Sequence, residues 1–254
     1  MRERSSRESL TRSLNRGDTW ALPEAVSEVE PGEVVQLVRG HSGGVAGHYV
    51  EAAGAPVMEF MLLLGRSSYD SVRMLIRQER PSDVQAVRAV TAAAFGRVTH
   101  AAPPVEPDGV PGEATLVGWL RDDPGWVPQL SLVAESGPSG TEVVGHVLAT
   151  HGQLAERPAL GLGPLSVHPA HQGRGIGSAL MHTLLGAADA MGEPVVVLLG
   201  DPALYSRFGF VPASGLGIEP ADPAWGDYFQ ARTLSAWRQV YAGRFRYAAP
   251  FDRL

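Results

Sequence analysis

Apolar and polar positions divide the chain into two regimes. Up to Arg73 no period holds: residues 24–33 are acidic and broken by Pro and Gly, and residues 40–47 are glycine-rich. The longest early apolar run, residues 57–64, is interrupted by Glu59 and reads as a short strand or a helical turn. Such a stretch cannot bury enough apolar surface to offset the entropy of ordering it. Residues 1–73 are therefore expected to be a disordered or poorly structured N-terminal extension, or a segment ahead of the native start. A small companion domain is the alternative.

Periodicity begins at Met74. Leu75-Ile76-Arg77 reads as a strand, and Pro81-Ser82-Asp83 opens a helix that carries Val84, Val87, Ala94 and Phe95 broadly on one face. Residues 98–110 are Pro-rich and irregular, 113–120 are amphipathic, and Asp122-Asp123-Pro124-Gly125 ends that helix. Residues 130–135 and 142–150 form strands across a Ser-Gly-Pro-Ser-Gly turn, and 160–167 form another. Behind residue 177, Leu180, Leu184, Ala187, Ala188 and Met191 keep helical spacing. Residues 194–199 are continuously apolar, as in a strand buried on both faces. A short helix over 202–208, closing strands over 210–212 and 228–234, and a helical turn near Trp237 complete the prediction. An Arg and aromatic tail with Arg244, Arg246 and Arg253 follows, read as solvated surface. Periodicity alone gives a single α/β domain over 74–254.

Between the strand at 160–167 and its helix lies Gln172-Gly173-Arg174-Gly175-Ile176-Gly177. Alternating glycines let the backbone approach a ligand and turn its N–H groups outward. The helix start adds unpaired donors and the positive end of its dipole, a combination that binds anions, phosphates above all. Rival glycine-loop readings fail on particular residues. A Walker loop needs Lys after its last glycine, and the 254-residue chain has no Lys, which also excludes a pyridoxal-phosphate Schiff base. A dinucleotide loop runs G-x-G-x-x-G directly after its strand; here the order is G-x-G-x-G, and His168-Pro169-Ala170-His171 intervenes.

The segment Val167-His168-Pro169-Ala170-His171-Gln172-Gly173-Arg174-Gly175-Ile176-Gly177 resembles the acetyl-CoA motif of the GNAT superfamily of N-acetyltransferases. Downstream, Gly200-Asp201-Pro202-Ala203-Leu204-Tyr205-Ser206-Arg207-Phe208-Gly209-Phe210 is similar to the short-helix segment of the same superfamily. The resemblance spans roughly residues 74–254 and implies a GNAT-like α/β (α+β) fold, a mixed, twisted central sheet with helices on both faces. It implies acetyl-CoA as co-substrate and direct acetyl transfer to a primary amine, a small molecule or a peptide. It is compatible with a homodimer. Pantetheine is expected between two splayed strands, on the main chain of Leu165 and Val167, where Gly161, Gly163 and Pro164 suit a bulge. The pyrophosphate is expected on the N–H groups of Gln172, Gly173, Arg174, Gly175, Ile176 and Gly177, with the Arg174 guanidinium adding charge. Tyr205 matches the residue that protonates the departing thiolate. A phenol near about 10 and a thiol near about 8.5 are close enough for a proton to pass between them.

Other residues narrow the reading less. His151, Glu113, Asp201 and a water chain are all candidates for the base, although Asp201 before Pro202 suits a helix cap better. His146 suits the core, and His168 with His171 lacks neighbouring carboxylates for a metal, so none is expected. A net charge of −6 and a pI near 5.7 leave no basic footprint for nucleic acid. The absence of Cys removes disulfides, thiolate metal sites and a cysteine nucleophile, in keeping with direct transfer. No apolar run reaches the roughly 18 residues of a membrane span, and a cytoplasmic location is expected. The resemblance implies that acceptor choice resides in residues 98–125 and 215–227, where the family varies. Two further readings stay open at this point: a non-catalytic module that binds or senses acetyl-CoA, and a nucleotide-binding domain of another kind.

Overall fold

The computed structural model describes residues 35–36, 48–52, 55–61, 74–136 and 142–254. Its contacts divide into Met1–Arg73 and Met74–Leu254. In the first unit β1 (Val35–Gln36), β2 (His48–Ala52) and β3 (Ala55–Met61) pair antiparallel, β2 with β3 over five registered pairs. Residues 57–61 of the apolar run at 57–64 therefore lie in a strand. The rest of the expectation for 1–73 lies outside the described residues.

The second unit begins with β4 (Leu75–Gln78), a 3-10 turn (Pro81–Asp83) and α1 (Val84–Phe95). Pro81 stands where a missing N–H costs nothing, and Asp83 accepts the Arg80 N–H at 2.7 Å. Next come α2 (Gly112–Arg121), β5 (Trp126–Ser136), β6 (Glu142–Leu154) and β7 (Arg157–Val167). The chain continues through α3 (Ile176–Ala190), β8 (Val195–Leu199) and the single-turn α4 (Pro202–Tyr205). It closes with β9 (Val211–Pro212), β10 (Ile218–Glu219), β11 (Phe229–Thr233) and β12 (Gly243–Arg246).

The sheet of this unit runs β4-β5-β6-β7-β8-β11-β9. Only β7 and β8 are parallel along this path; the other neighbours are antiparallel. Side chains alternate between faces along each strand, and the core divides accordingly. On one face Val133 and Leu148 pack under α1 and α2 with Val87, Leu116, Val117 and Leu120. On the other, Gly145 meets α3: a Cβ there would stand 3.0 Å from Leu180 and 3.1 Å from Ile176. Thr91 on α1 ties to Ser166 on β7 through hydroxyls 3.0 Å apart, both buried.

In the C-terminal tail Arg244, Arg246 and Arg253 are exposed, as expected of solvated surface, but the tail also holds a strand. β12 pairs with the end of β6 (Phe245↔Leu154), beyond the last β5 partner at Thr150, and with β10. Phe245 is 1% exposed and joins a core cluster with Phe229, Val195, Val197 and Leu154. Arg244 and Arg246 flank it on the exposed face, as alternation requires.

Candidate active site

The glycine loop lies between β7 and α3. Gly173 and Gly175 adopt φ of 73° and 82°, the left-handed region where a side chain is strained. A Cβ on Gly173 would meet nothing within 4 Å, so the loop's outer face is open. Gly175 is the N-cap of α3 and offers no side-chain cap. The first N–H groups of this 15-residue helix therefore lack both intrahelical partners and a capping oxygen. Arg174 is exposed beside them. Bare N–H groups at the positive end of a helix dipole are complementary to an anion.

Gln172 has a different task from that of a bare N–H donor. Its side-chain Nε2 donates to the Val167 carbonyl at 3.0 Å, pinning the loop to the strand it leaves.

The two parallel strands part near their middle. Pairing of β7 with β8 is confined to Leu160↔Val196 and Gly161↔Val197, yet β7 continues to Val167. Opposite the parting, the β6–β7 register shifts: Val147 faces Leu165 and Ala149 faces Leu162, so β7 holds an extra residue around Gly163 and Pro164. This is the bulge that the glycines and proline predicted. Beyond it the ladder phase decides which backbone groups are free. The His168 N–H donates to the Val144 carbonyl at 2.8 Å, which fixes Ser166 as a residue bonded to β6. The N–H and C=O groups of Leu165 and Val167 then face the opening, the Val167 carbonyl already meeting Gln172.

The opposite lip is β8 and α4. Asp201 Oδ1 accepts the Ala203 N–H at 2.9 Å, so Asp201 caps α4, as its place before Pro202 predicts. Tyr205 ends that helix, half-buried, its ring against Gly200 and edge-on to Phe210 at 6.0 Å. Burial lifts its hydroxyl above the usual phenol range, opposed only in part by Arg207. The sites read from sequence thus occupy two lips: Leu165, Val167 and residues 172–177 on one, Tyr205 on the other.

The remaining candidates are engaged elsewhere. His151 Nε2 lies 2.7 Å from Glu193, and Glu113 holds the Ala102 N–H at 2.7 Å. His146 is fully buried against Ser131 and Glu79, and burial lowers its pKa. The His168 and His171 rings lie edge-on, 5.9 Å apart. Among the described residues no three His, Cys, Asp or Glu side chains converge as a metal set, and no helix is long and apolar enough to cross a membrane. A hollow of about 440 Å³ lies between Ala92 near the end of α1, Gly96 and Arg97 just after it, and the turn at His168.

Sequence reasoning missed Tyr247. Its ring sits on Gly161, where a Cβ would fall 2.6 Å from Cδ1, and packs tilted against Phe251 with centroids 4.7 Å apart. Its buried hydroxyl has no hydrogen-bond partner among the described residues. An aromatic-rich tail was the only signal for it.

Residues 128–212 match the family model described as the acetyltransferase (GNAT) domain. The uncharacterized N-acetyltransferase YhbS of Escherichia coli K12 is 34% identical over 164 residues, 64% of this chain and 88% of that protein. YjhQ of the same strain is 31% identical, over 66% of this chain and 89% of its own. A crystal structure of YhbS in complex with CoA superposes with a TM-score of 0.61 at 30% identity, covering 74% of this chain and 97% of that one. A GNAT-family acetyltransferase from Brucella melitensis in complex with acetyl-CoA gives 0.53 at 35% identity, covering 70% and 98%.

Proposed function

The chain belongs to the GNAT N-acetyltransferase family and is an acyltransferase, and we propose that it moves an acetyl group from acetyl-CoA to a primary amine by direct transfer. The observation that carries this reading is the parted pair β7 and β8, with an uncapped helix N-terminus at one lip and a tyrosine hydroxyl at the other. The YhbS and Brucella melitensis structures, with CoA and acetyl-CoA bound, support placing the co-substrate there.

The residues present fit that molecule. Its pyrophosphate would rest on the N–H groups of residues 172–177, with Arg174 adding charge. Its pantetheine amides would meet the Leu165 and Val167 main chain. The acceptor nitrogen, neutral, attacks the thioester carbonyl carbon; a C–N bond forms and the C–S bond breaks with its electron pair leaving on sulfur. Tyr205 gives its proton to that sulfur. Burial lifts the Tyr205 hydroxyl, but it lifts a desolvated thiol as well, so the two remain matched. The amine's own proton passes to a water chain, while Asp201 caps α4 and Glu113 holds the Ala102 N–H.

A thiol-release screen of small amines, amino acids, aminoglycoside-type antibiotics and peptide N-termini with acetyl-CoA tests this. Amine-dependent release of CoA with stoichiometric amide is expected. Tight acetyl-CoA binding without turnover on any acceptor would instead make the protein a binding or sensing module.

A further inference from the structure

We propose that the Tyr247 hydroxyl is a substrate-contacting group of this site, donating a hydrogen bond to the carbonyl oxygen of the bound acetyl thioester. The inference rests on the acetyl-CoA reading above.

Three observations place the group. Gly161, on which the Tyr247 ring lies, is the last β7 residue paired with β8, so the ring sits at the apex of the parting. Phe251, tilted against that ring, reaches the bulge: its Cε1 is 4.0 Å from where a Gly163 Cβ would stand. Thr150, opposite Gly161, lies two and four residues along β6 from Leu148 and His146 and shares their face, the one covered by α1 and α2. The Tyr247 ring thus reaches the apex from the face opposite α3, across the sheet from the uncapped helix.

The hydroxyl itself is buried without a partner among the described residues. Such a group destabilises the fold unless something supplies the missing bond. The surrounding rings of Phe245, Phe251 and Trp225 cannot. Burial, reinforced by the nearby Tyr205, drives the Tyr247 pKa well above the phenol range, so the proton stays in place at any working pH. A hydroxyl that never ionises is a poor base and a permanent donor. At the apex, the group that wants a donor is the thioester oxygen, on which negative charge builds as the amine attacks. Tyr205 would then serve the sulfur and Tyr247 the oxygen of one thioester.

Tyr247→Phe keeps the ring on Gly161 and removes only the unpartnered oxygen, so the variant should melt no lower than wild type. Calorimetry with CoA and with acetyl-CoA separates the effect. Acetyl-CoA affinity should fall about threefold to tenfold, the net worth of one hydrogen bond, while CoA affinity stays within about twofold. Infrared difference spectra of acetyl-CoA labelled with ¹³C at the carbonyl should show the bound carbonyl stretch moving to higher frequency in the variant. A packing role would move neither. Unchanged carbonyl frequency and an unchanged ratio of the two affinities would overturn the assignment while leaving the acetyl-CoA site intact. A wild-type protein that binds neither CoA nor acetyl-CoA would remove both.

Discussion

The ring of Tyr205 rests on the α-carbon of Gly200: a Cβ at residue 200 would stand 2.3 Å from Tyr205 Cε2 and 2.9 Å from Cδ2. Glycine is thus needed there for what is beside it, since its own φ does not demand it. Gly200→Ala should push the Tyr205 ring off its seat and lower kcat by about 10- to 100-fold, a fraction of the roughly 10²–10⁴ carried by a general acid. Tyr205→Phe should reach that larger range with little change in acetyl-CoA affinity. Single-turnover measurements on both variants decide the matter, because product release cannot mask the step there. An unchanged rate in Tyr205→Phe would return the residue to a packing role.

Gly175 is the second glycine with a directional demand. At φ 82° and as the bare N-cap of α3, it can be replaced only with strain. Gly175→Glu adds a carboxylate where an anion should bind, and CoA affinity should weaken by well over tenfold, at about 1.4 kcal/mol per decade. Calorimetry reads the loss; wild-type affinity would move the pyrophosphate elsewhere.

Far from the opening, Arg77 grips Asp83 by its two terminal guanidinium nitrogens, at 2.6 and 3.0 Å, and also pairs with Glu135. Those hydrogen bonds hold the Asp83 carboxyl below its usual range. A lowered folded-state pKa stabilises the fold at pH values above the unfolded aspartate's, about 3.9. That stabilisation is lost as pH falls through the lower folded value. Asp83→Asn, which takes one carboxylate from the Arg77 guanidinium, should cost about 3 kcal/mol at pH 7, and the gap from wild type should narrow as pH falls below the unfolded aspartate's value. Melting curves across pH measure this, and a constant gap would sever the link to the carboxylate.

The chain divides into the units Met1–Arg73 and Met74–Leu254. A chain beginning at Met74 is expected to fold, to keep the melting temperature of the full chain within a few degrees, and to bind CoA equally well. Insolubility of that shortened chain alone would make residues 1–73 part of the working fold.

What the sequence revealed follows from which interactions are local. The glycine loop, the Asp201 cap and the bulge at Gly163-Pro164 are properties of consecutive residues, and each lies where the chain pattern placed it. β12 was illegible because Gly243-Arg244-Phe245-Arg246 has a single apolar position; its strand character comes from β6 and β10. Tyr247 stayed hidden for the same reason. Its meaning depends on Gly161, 86 positions earlier, which no window along the chain joins to it. The Glu79, Ser131 and His146 cluster likewise draws on three strands or their ends.

The parting of β7 from β8 leaves the sheet one strand short, and it should be visible as an alternation in solvent exchange. Ser166 spends its amide on β6, so its proton should be slow to exchange; Leu165 and Val167, one residue to either side, should exchange quickly. Pantetheine carries two amides in a chain about as long as a dipeptide, which makes it a chemical stand-in for the missing strand. Adding CoA should therefore slow the two outer amides and leave the middle one as it was, a three-residue signature of a ligand accepted as backbone. Side chains along this lip can then change without loss of the slot, and proline at residue 165 or 167, which has no N–H to offer, is the replacement that should close it.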